Sequence, residues 1–220
     1  MKIVNIVFAL SIITVTIIYC NVGLLWIKGT DSMLFVLMAL VNFIHNTKIK
    51  SKYKVFSLFL TLGLGVAAVA DVVLNITFIP GAIIFAICHI LYVIAFYSVE
   101  KFKKRDLTYI SGIIAASVII TLLPIFDYGS TVMFVLVVAY AVIISVMLGK
   151  SASNATVRMS CPFTIMFIGS ALFYFSDLML LINIFGNGAD FTNTLCVITY
   201  YVGQCLLAYS VYCVSERTEE

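Results

Sequence analysis

Charged residues are scarce in this chain. Only 10% of its 220 residues are charged, whereas 63% are hydrophobic, and the mean hydropathy is +1.17. These values exclude a soluble domain, and the apolar runs of about 20 residues differ from the alternating pattern of an outer-membrane barrel. The net charge of +3 is small and concentrated in loops, so we expect no nucleic-acid partner. The composition predicts an all-α, polytopic integral membrane protein.

Familiar catalytic and metal-binding motifs are also missing. The sequence contains no C-x-x-C, H-x-x-x-H, H-x-x-E-H or G-x-S-x-G pattern and no phosphate-binding loop. The six cysteines lie within or beside apolar segments and are interpreted as small hydrophobic residues. We therefore expect no cofactor and no bound metal, although one histidine and two aspartates would in principle suffice for zinc.

The apolar runs predict eight transmembrane helices in one domain over residues 1–220. The predicted spans are 3–27, 32–44, 55–78, 80–99, 108–124, 130–149, 161–185 and 192–214. With both termini cytoplasmic, twelve of the thirteen basic residues fall on the cytoplasmic side and only Lys28 on the other. The twelve are Lys2, Lys48, Lys50, Lys52, Lys54, Lys101, Lys103, Lys104, Arg105, Lys150, Arg158 and Arg217. This asymmetry supports the eight-span prediction.

Three ionisable side chains are predicted inside the membrane: Asp71, His89 and Asp177. A charge in hydrocarbon costs at least ~2.5–3.5 kcal/mol, so such residues are candidate functional sites. The helical rise places all three roughly 10–13 Å below the outer boundary, with a turn at 79–81 joining the spans of Asp71 and His89. These three residues are the candidate catalytic group.

Further polar residues are predicted on the inward faces of the same layer, where they are candidates for substrate binding. They are Asn75, Tyr92, Tyr140, Ser176, Tyr200, Tyr201 and Gln204. Each of these, and each aspartate, could instead be a structural hydrogen-bond partner between helices. The acidic residues Glu100, Asp106, Asp127 and Asp190 are interpreted as solvated loop charges.

A faint internal repeat relates the two halves of the chain. Gly63 and Gly169 each lie eight residues before an aspartate, and each aspartate begins a D-x-x-L step. The two spans involved point the same way, which indicates a parallel four-plus-four duplication. Matches this short also arise by coincidence.

Three sequence blocks carry a resemblance to a known family. The blocks are A-D-V-V-L at 70–74 with F-I-P-G-A-I-I-F-A-I-C-H-I-L-Y at 78–92, I-G-S-A-L-F-Y-F-S-D at 168–177, and T-Y-Y-V-G-Q at 199–204. They resemble the YhhN family of membrane lysoplasmalogenases. The similarity covers roughly 56–209, and the first two spans carry little of it. The resemblance implies an eight-helix bundle that hydrolyses the vinyl ether bond of lysoplasmalogens to a fatty aldehyde and glycerophosphocholine or glycerophosphoethanolamine. The two aspartates of the family motif fall on Asp71 and Asp177.

Vinyl ether hydrolysis suits two carboxylates in an apolar site, because one can deliver a proton while the other stabilises the resulting cation or activates water. His89 is expected to tune or relay protons.

The predicted partners are an alkenyl lysophospholipid and the bilayer of a cell membrane, the inner membrane if the source is bacterial. Two alternatives remain: a proton-coupled transporter using the same carboxylates, and a metal-dependent lipid hydrolase of the ceramidase type, which chelators would inhibit.

Overall fold

The computed structural model describes residues 1–157 and 160–216, with side chains to residue 214. These residues form eight α-helices and no strand, so the all-α prediction is confirmed. The helices are α1 Lys2–Val22, α2 Leu25–Lys48, α3 Lys54–Ile76, α4 Phe78–Val99, α5 Lys104–Thr121, α6 Thr131–Val157, α7 Cys161–Phe185 and α8 Asp190–Glu216. Arg158 and Arg217, which entered the charge count, lie outside the described residues.

Seven of the eight helices are long and apolar enough to cross a membrane. The exception is α5, which has 18 residues and begins with Lys104, Arg105 and Asp106. Helix α3 packs along α4, α7 along α8 and α5 along α6, while α1 lies against α2 and α8. The buried core is formed mainly by α2, α3, α4, α7 and α8. The chain is a helical membrane protein.

The second helix begins earlier than predicted. The sequence pattern placed it at 32–44 after a first span of 3–27, but α1 ends at Val22 and α2 runs from Leu25 to Lys48. Gly23 adopts a left-handed conformation with φ 71°, and its N–H donates to the Tyr19 carbonyl, which terminates α1. The apolar run continues across this break, so hydropathy alone does not reveal it. Lys28 and Asp31 therefore lie inside a helix and not in a loop.

The break between α3 and α4 is also displaced from its predicted place at 79–81. It consists of Thr77 alone, which is extended with φ −146°. Pro80 lies in the first turn of α4, where a helix needs no N–H donor. Gly81 is helical, and a Cβ atom there would lie 2.4 Å from the Leu74 Cα. The glycine thus permits a close approach of α3 and α4.

The prediction that Asp106 is a solvated loop charge is wrong. Helix α5 begins at Lys104 and α6 extends to Val157, which brings Asp106 and Lys150 together as a fully buried ion pair, 2.8 Å between Lys150 Nζ and Asp106 Oδ2. The Ser153 hydroxyl and the Lys103 backbone N–H also donate to this carboxylate. Burial alone would raise the pKa of Asp106, but hydrogen bonds from Lys150 and Ser153 outweigh it and lower the pKa.

The remaining loop acids differ in exposure. Asp127 and Asp190 are exposed, as predicted, whereas Glu100 is half-buried and pairs with Lys103. Lys150 was predicted to lie in a loop, but it belongs to α6, and its ammonium lies 4.3 Å from the centre of the Tyr97 ring. The start of α5 and the end of α6 are therefore tied to the end of α4 by a buried polar cluster.

Candidate functional site

The Asp71 carboxylate is buried near the C-terminal end of α3 and is bonded only by donors. The Lys28 ammonium lies 2.9 Å from Oδ1, and the hydroxyls of Ser32 and Tyr201 donate to Oδ2 at 2.7 Å each. Tyr201 also lies 3.0 Å from the Lys28 carbonyl, which ties the first turn of α2 to α8. The carboxylate thus makes a hydrogen-bonded ion pair among α2, α3 and α8.

Two charged residues at this position were missed by the sequence analysis. Lys28, Asp31 and Ser32 have the i, i+3, i+4 spacing of one helix face, and this spacing would have revealed them had α2 been predicted to start at Leu25. Asp31 is fully buried and accepts a hydrogen bond of 2.6 Å from Thr16 of α1. Its Oδ1 atom has no partner among the described residues.

Asp177 belongs to a second polar cluster, formed by α4, α6 and α7. The Tyr140 hydroxyl donates to Asp177 Oδ2 at 2.6 Å, and His89 Nε2 lies 2.9 Å from the same hydroxyl and 3.5 Å from the carboxylate. His89 is fully buried, with its ring centre 4.7 Å from that of Phe173. Its Nδ1 atom has no partner among the described residues. In contrast to Asp71, this carboxylate has no neighbouring lysine or arginine among its described contacts.

An apolar cavity opens beside Asp177. Helices α3 to α7 line it with aliphatic and aromatic side chains, and Asp177 and Tyr140 are polar groups in its wall. The other lining residues are Leu74, Phe78, Ala82, Phe85, Ser117, Ile120, Thr121, Leu136, Val137, Ala141, Ile144, Tyr174, Leu178, Leu180, Leu181, Ile184 and Phe185. A pocket of this kind, apolar with a few convergent polar groups, fits a hydrocarbon chain carrying a reactive polar end.

The two aspartates do not meet directly. Among the described contacts no hydrogen bond joins them, and the rings of Phe85, Phe173 and Tyr200 pack between the two clusters at centroid distances of 5.4–5.9 Å. Helix α8 contacts both clusters, because the Cys196 thiol lies 3.6 Å from the Ser176 hydroxyl and Tyr201 donates to Asp71. The carboxylates therefore have different surroundings and are suited to different roles.

Comparison with known proteins shows the family of this chain. The YhhN family profile matches residues 24–211. The chain belongs to the YhhN family. No curated protein and no solved structure matches it significantly. The matched range is longer than the expected 56–209 and includes most of α2, so the residues around Asp71 on α2 lie within the part that the family profile covers.

The predicted substrate-binding residues occupy different positions in this YhhN protein. Tyr140 lines the cavity, and Tyr201 bonds Asp71. Ser176 is buried against Cys196. The Tyr92 hydroxyl donates to Gln204 Oε1 at 2.7 Å, and both residues are fully buried away from the cavity wall.

Asn75 and Tyr200 are the other two predicted substrate-binding residues. The Asn75 side chain is exposed, and its amide donates to the Asp71 backbone carbonyl at 2.6 Å. The i, i+4 spacing correctly placed Asn75 one turn from Asp71, but the amide bonds the helix backbone instead of the carboxylate. Tyr200 packs among Phe85, Phe173 and Tyr201.

The side chains that could bind a metal ion are dispersed in the described part of the chain. Within residues 1–157 and 160–214, no three His, Cys, Asp or Glu side chains gather as a ligand set. The histidine and the two predicted aspartates are divided between two clusters, so they do not form a common donor set.

Proposed function

We propose that this YhhN protein is a lysoplasmalogenase-type hydrolase that cleaves the vinyl ether bond of alkenyl glycerophospholipids within the membrane. The products are a fatty aldehyde and glycerophosphocholine or glycerophosphoethanolamine. The observation that carries the proposal is the hydrogen-bonded Asp177–Tyr140–His89 cluster, of which Asp177 and Tyr140 line an apolar cavity. Such a cavity fits an alkenyl chain and leaves the reactive double bond beside a carboxyl group.

The reaction requires a proton, a water molecule and no redox change. An acid transfers its proton to the alkene carbon remote from the oxygen, which leaves an oxocarbenium ion. Water adds to the carbon that bears the oxygen and loses a proton, giving a hemiacetal. The hemiacetal collapses with cleavage of its bond to the glycerol oxygen, which takes up a proton, so the aldehyde and the alcohol account for all atoms of substrate and water.

Asp177 is suited to the role of acid. Its carboxyl group faces the cavity, and its partners Tyr140 and His89 belong to residue types that can pass protons. His89 Nε2 contacts the Tyr140 hydroxyl, so the three groups form a chain along which the carboxyl proton can be replaced after each turnover. An acid positioned in this way contributes typically about 10²–10⁴-fold to a rate.

Asp71 is suited to the complementary role. A protonated carboxyl group must donate a hydrogen bond, but the ammonium of Lys28 and the hydroxyls of Ser32 and Tyr201 all donate to Asp71. This pattern fits an anionic carboxylate. Because Asp71 lies one helical turn from Leu74 in the cavity wall, its charge can stabilise the oxocarbenium ion and orient the attacking water.

The proposed topology has eight transmembrane spans, including α5, with both termini on the cytoplasmic side of a cell membrane. The distribution of basic residues supports it. The similar positions of Gly63 before Asp71 on α3 and of Gly169 before Asp177 on α7 support an ancestral four-plus-four duplication.

The proposal is tested by incubating purified protein with 1-alkenyl lysophospholipids and their 1-acyl counterparts and measuring aldehyde. We expect release from the alkenyl compound only, insensitive to chelators, and at least ~10²-fold less release by Asp177→Asn. Asp127→Asn, a change at an exposed loop position, is the control.

Three results would contradict parts of the proposal. Turnover of the acyl compound alone indicates a different lipid hydrolase, and loss of activity with chelators indicates a metal-dependent one. Absence of turnover with either lipid favours a proton-coupled carrier that uses the same carboxylates.

A further inference from the structure

The ion pair with Asp71 uses only part of the hydrogen-bonding capacity of the Lys28 ammonium among the described contacts. Its ammonium group carries three N–H donors, and the described contacts assign one to Asp71 Oδ1 and none to another hydrogen-bond acceptor. The side chain is 11% exposed, whereas Asp71 is almost completely covered. The ammonium therefore retains donors that a ligand can reach.

The backbone at Lys28 is held in place by Tyr201 of α8. The Tyr201 hydroxyl contacts both the Lys28 carbonyl at 3.0 Å and Asp71 Oδ2 at 2.7 Å. The ammonium also lies 5.9 Å from the Tyr19 ring centre. These contacts hold the Lys28 ammonium at the edge of the Asp71 cluster. A lysine on an open surface lacks such contacts and moves freely.

Helix α3 links Lys28 to the cavity. Lys28 pairs with Asp71, which lies one helical turn before Leu74, and Leu74 lines the cavity. The ammonium is thus held by the helix that forms part of the same cavity wall as Asp177. Among the described residues, Lys28 is the one lysine or arginine in or beside the connections α1–α2, α3–α4, α5–α6 and α7–α8.

From these observations we infer that Lys28 binds the phosphodiester of the substrate and forms the head-group subsite. The inference rests on the proposed function, since it places the alkenyl chain in the cavity beside Asp177 and the glycerophosphate toward α2. A lysine ammonium is a common phosphate ligand and can serve a carboxylate and a phosphate at once. Asp31 does not block this arrangement, because its carboxylate is covered and bonds Thr16 of α1.

The test measures binding rather than turnover. A non-cleavable alkyl-ether lysophosphatidylcholine and the corresponding phosphate-free alkylglycerol are titrated into purified protein by calorimetry. We expect Lys28→Gln to weaken binding of the phospholipid by about tenfold or more and to leave binding of the alkylglycerol unchanged. Lys48→Gln, at the exposed opposite end of α2, is the matched control.

Two further variants separate phosphate binding from loss of the ion pair. Asp71→Asn frees the ammonium, so it should bind the phospholipid at least as tightly as the unmodified protein. The double variant Lys28→Gln with Asp71→Asn leaves no stranded charge, yet it should show the same loss for the phospholipid only.

The inference is overturned if Lys28→Gln weakens both ligands equally or neither, or if the double variant binds the phospholipid normally. Binding without any aldehyde release from the alkenyl substrate would contradict the proposed function and leave the phosphate subsite standing.

Discussion

Tyr140 connects the two candidate proton-transfer groups, because one hydroxyl contacts both Asp177 and His89. Its ring is part of the cavity wall, so the hydroxyl lies between the substrate pocket and the buried imidazole. The carboxyl group of Asp177 has a free oxygen, Oδ1, for which no hydrogen bond is described. Proton delivery by Asp177 therefore depends on the orientation that Tyr140 imposes.

Replacing Tyr140 by Phe removes this hydrogen bond while preserving the ring. A hydrogen bond to a charged group contributes about 1.5–3 kcal/mol, so we expect kcat to fall roughly 10–100-fold with little change in KM. Aldehyde release by purified protein checks this. Tyr109→Phe, outside the cavity lining, should retain full activity. A change confined to KM would mean that Tyr140 binds substrate and does not assist the acid.

Individual site residues differed in how far the sequence could predict them. Asp71, His89 and Asp177 stand out because a charge in an apolar run has few structural explanations. Lys28 and Asp31 lie near the break between two helices, where hydropathy cannot distinguish a loop from a first helical turn. The separation of the two carboxylates depends on how Phe85, Phe173 and Tyr200 pack, and depth along a helix contains no information about lateral distance.

At the scale of helices, the close contact of α3 with α4 depends on one glycine. A Cβ atom at Gly81 would lie 2.4 Å from the Leu74 Cα and 2.7 Å from its backbone nitrogen, and backbone atoms cannot move aside as a side-chain end can. Leu74 also lines the cavity, so a displacement of α3 would change the shape of the cavity.

Gly81→Ala should destabilise the protein by about 1–3 kcal/mol, the usual cost of overpacking. Gly65→Ala is the matched control, because nothing lies within 4 Å of its Cβ position and alanine favours the helix by up to about 1 kcal/mol. Thermal unfolding in detergent measures both changes. Equal melting temperatures for the two variants would show that the α3–α4 contact is looser than the structure indicates.

The buried Asp106–Lys150 pair is expected to stabilise the packing of α5 against α6. Asp106→Asn leaves a buried lysine without its carboxylate, and breaking a buried pair typically costs about 3–5 kcal/mol. Because the folded-state pKa of Asp106 is lowered, the stabilisation is complete above the unfolded value of about 3.9 and is lost as the pH falls through the folded value.

The melting temperatures of the unmodified protein and Asp106→Asn should therefore differ at pH 7 and converge in acid. Asp127→Asn, at an exposed position, should show no difference at either pH. Replacing Lys150 by Met in the Asp106→Asn background should recover stability by removing the stranded charge. A difference that is independent of pH would assign the effect to packing alone.

Helix identity was predictable from the sequence, but helix ends were not. All eight helices follow apolar runs, since burial in lipid requires them. The ends of α2 and α6 extend past those runs because polar residues there are buried against partners, as with Asp31 against Thr16 and Lys150 against Asp106. Such pairing compensates for the cost of burying charge, and a hydropathy window cannot detect it.

The whole molecule contains two separate polar clusters within one apolar bundle. Helices α3 to α7 surround the cavity with Asp177, while α2, α3 and α8 hold the Lys28–Asp71 pair. This division suits an amphiphilic substrate whose chain and head group need different surroundings. The central claim is that a carboxylic acid in this bundle protonates a vinyl ether.

The most direct test is hydrolysis of an alkenyl lysophospholipid in D₂O and, separately, in ¹⁸O-labelled water. Protonation of the outer alkene carbon predicts one deuterium on the carbon next to the aldehyde carbonyl and no ¹⁸O in the glycerophosphate product. Asp177→Asn should release no aldehyde while unfolding at the temperature of the unmodified protein. Incorporation of ¹⁸O into the glycerophosphate, or full activity of folded Asp177→Asn, would contradict the account.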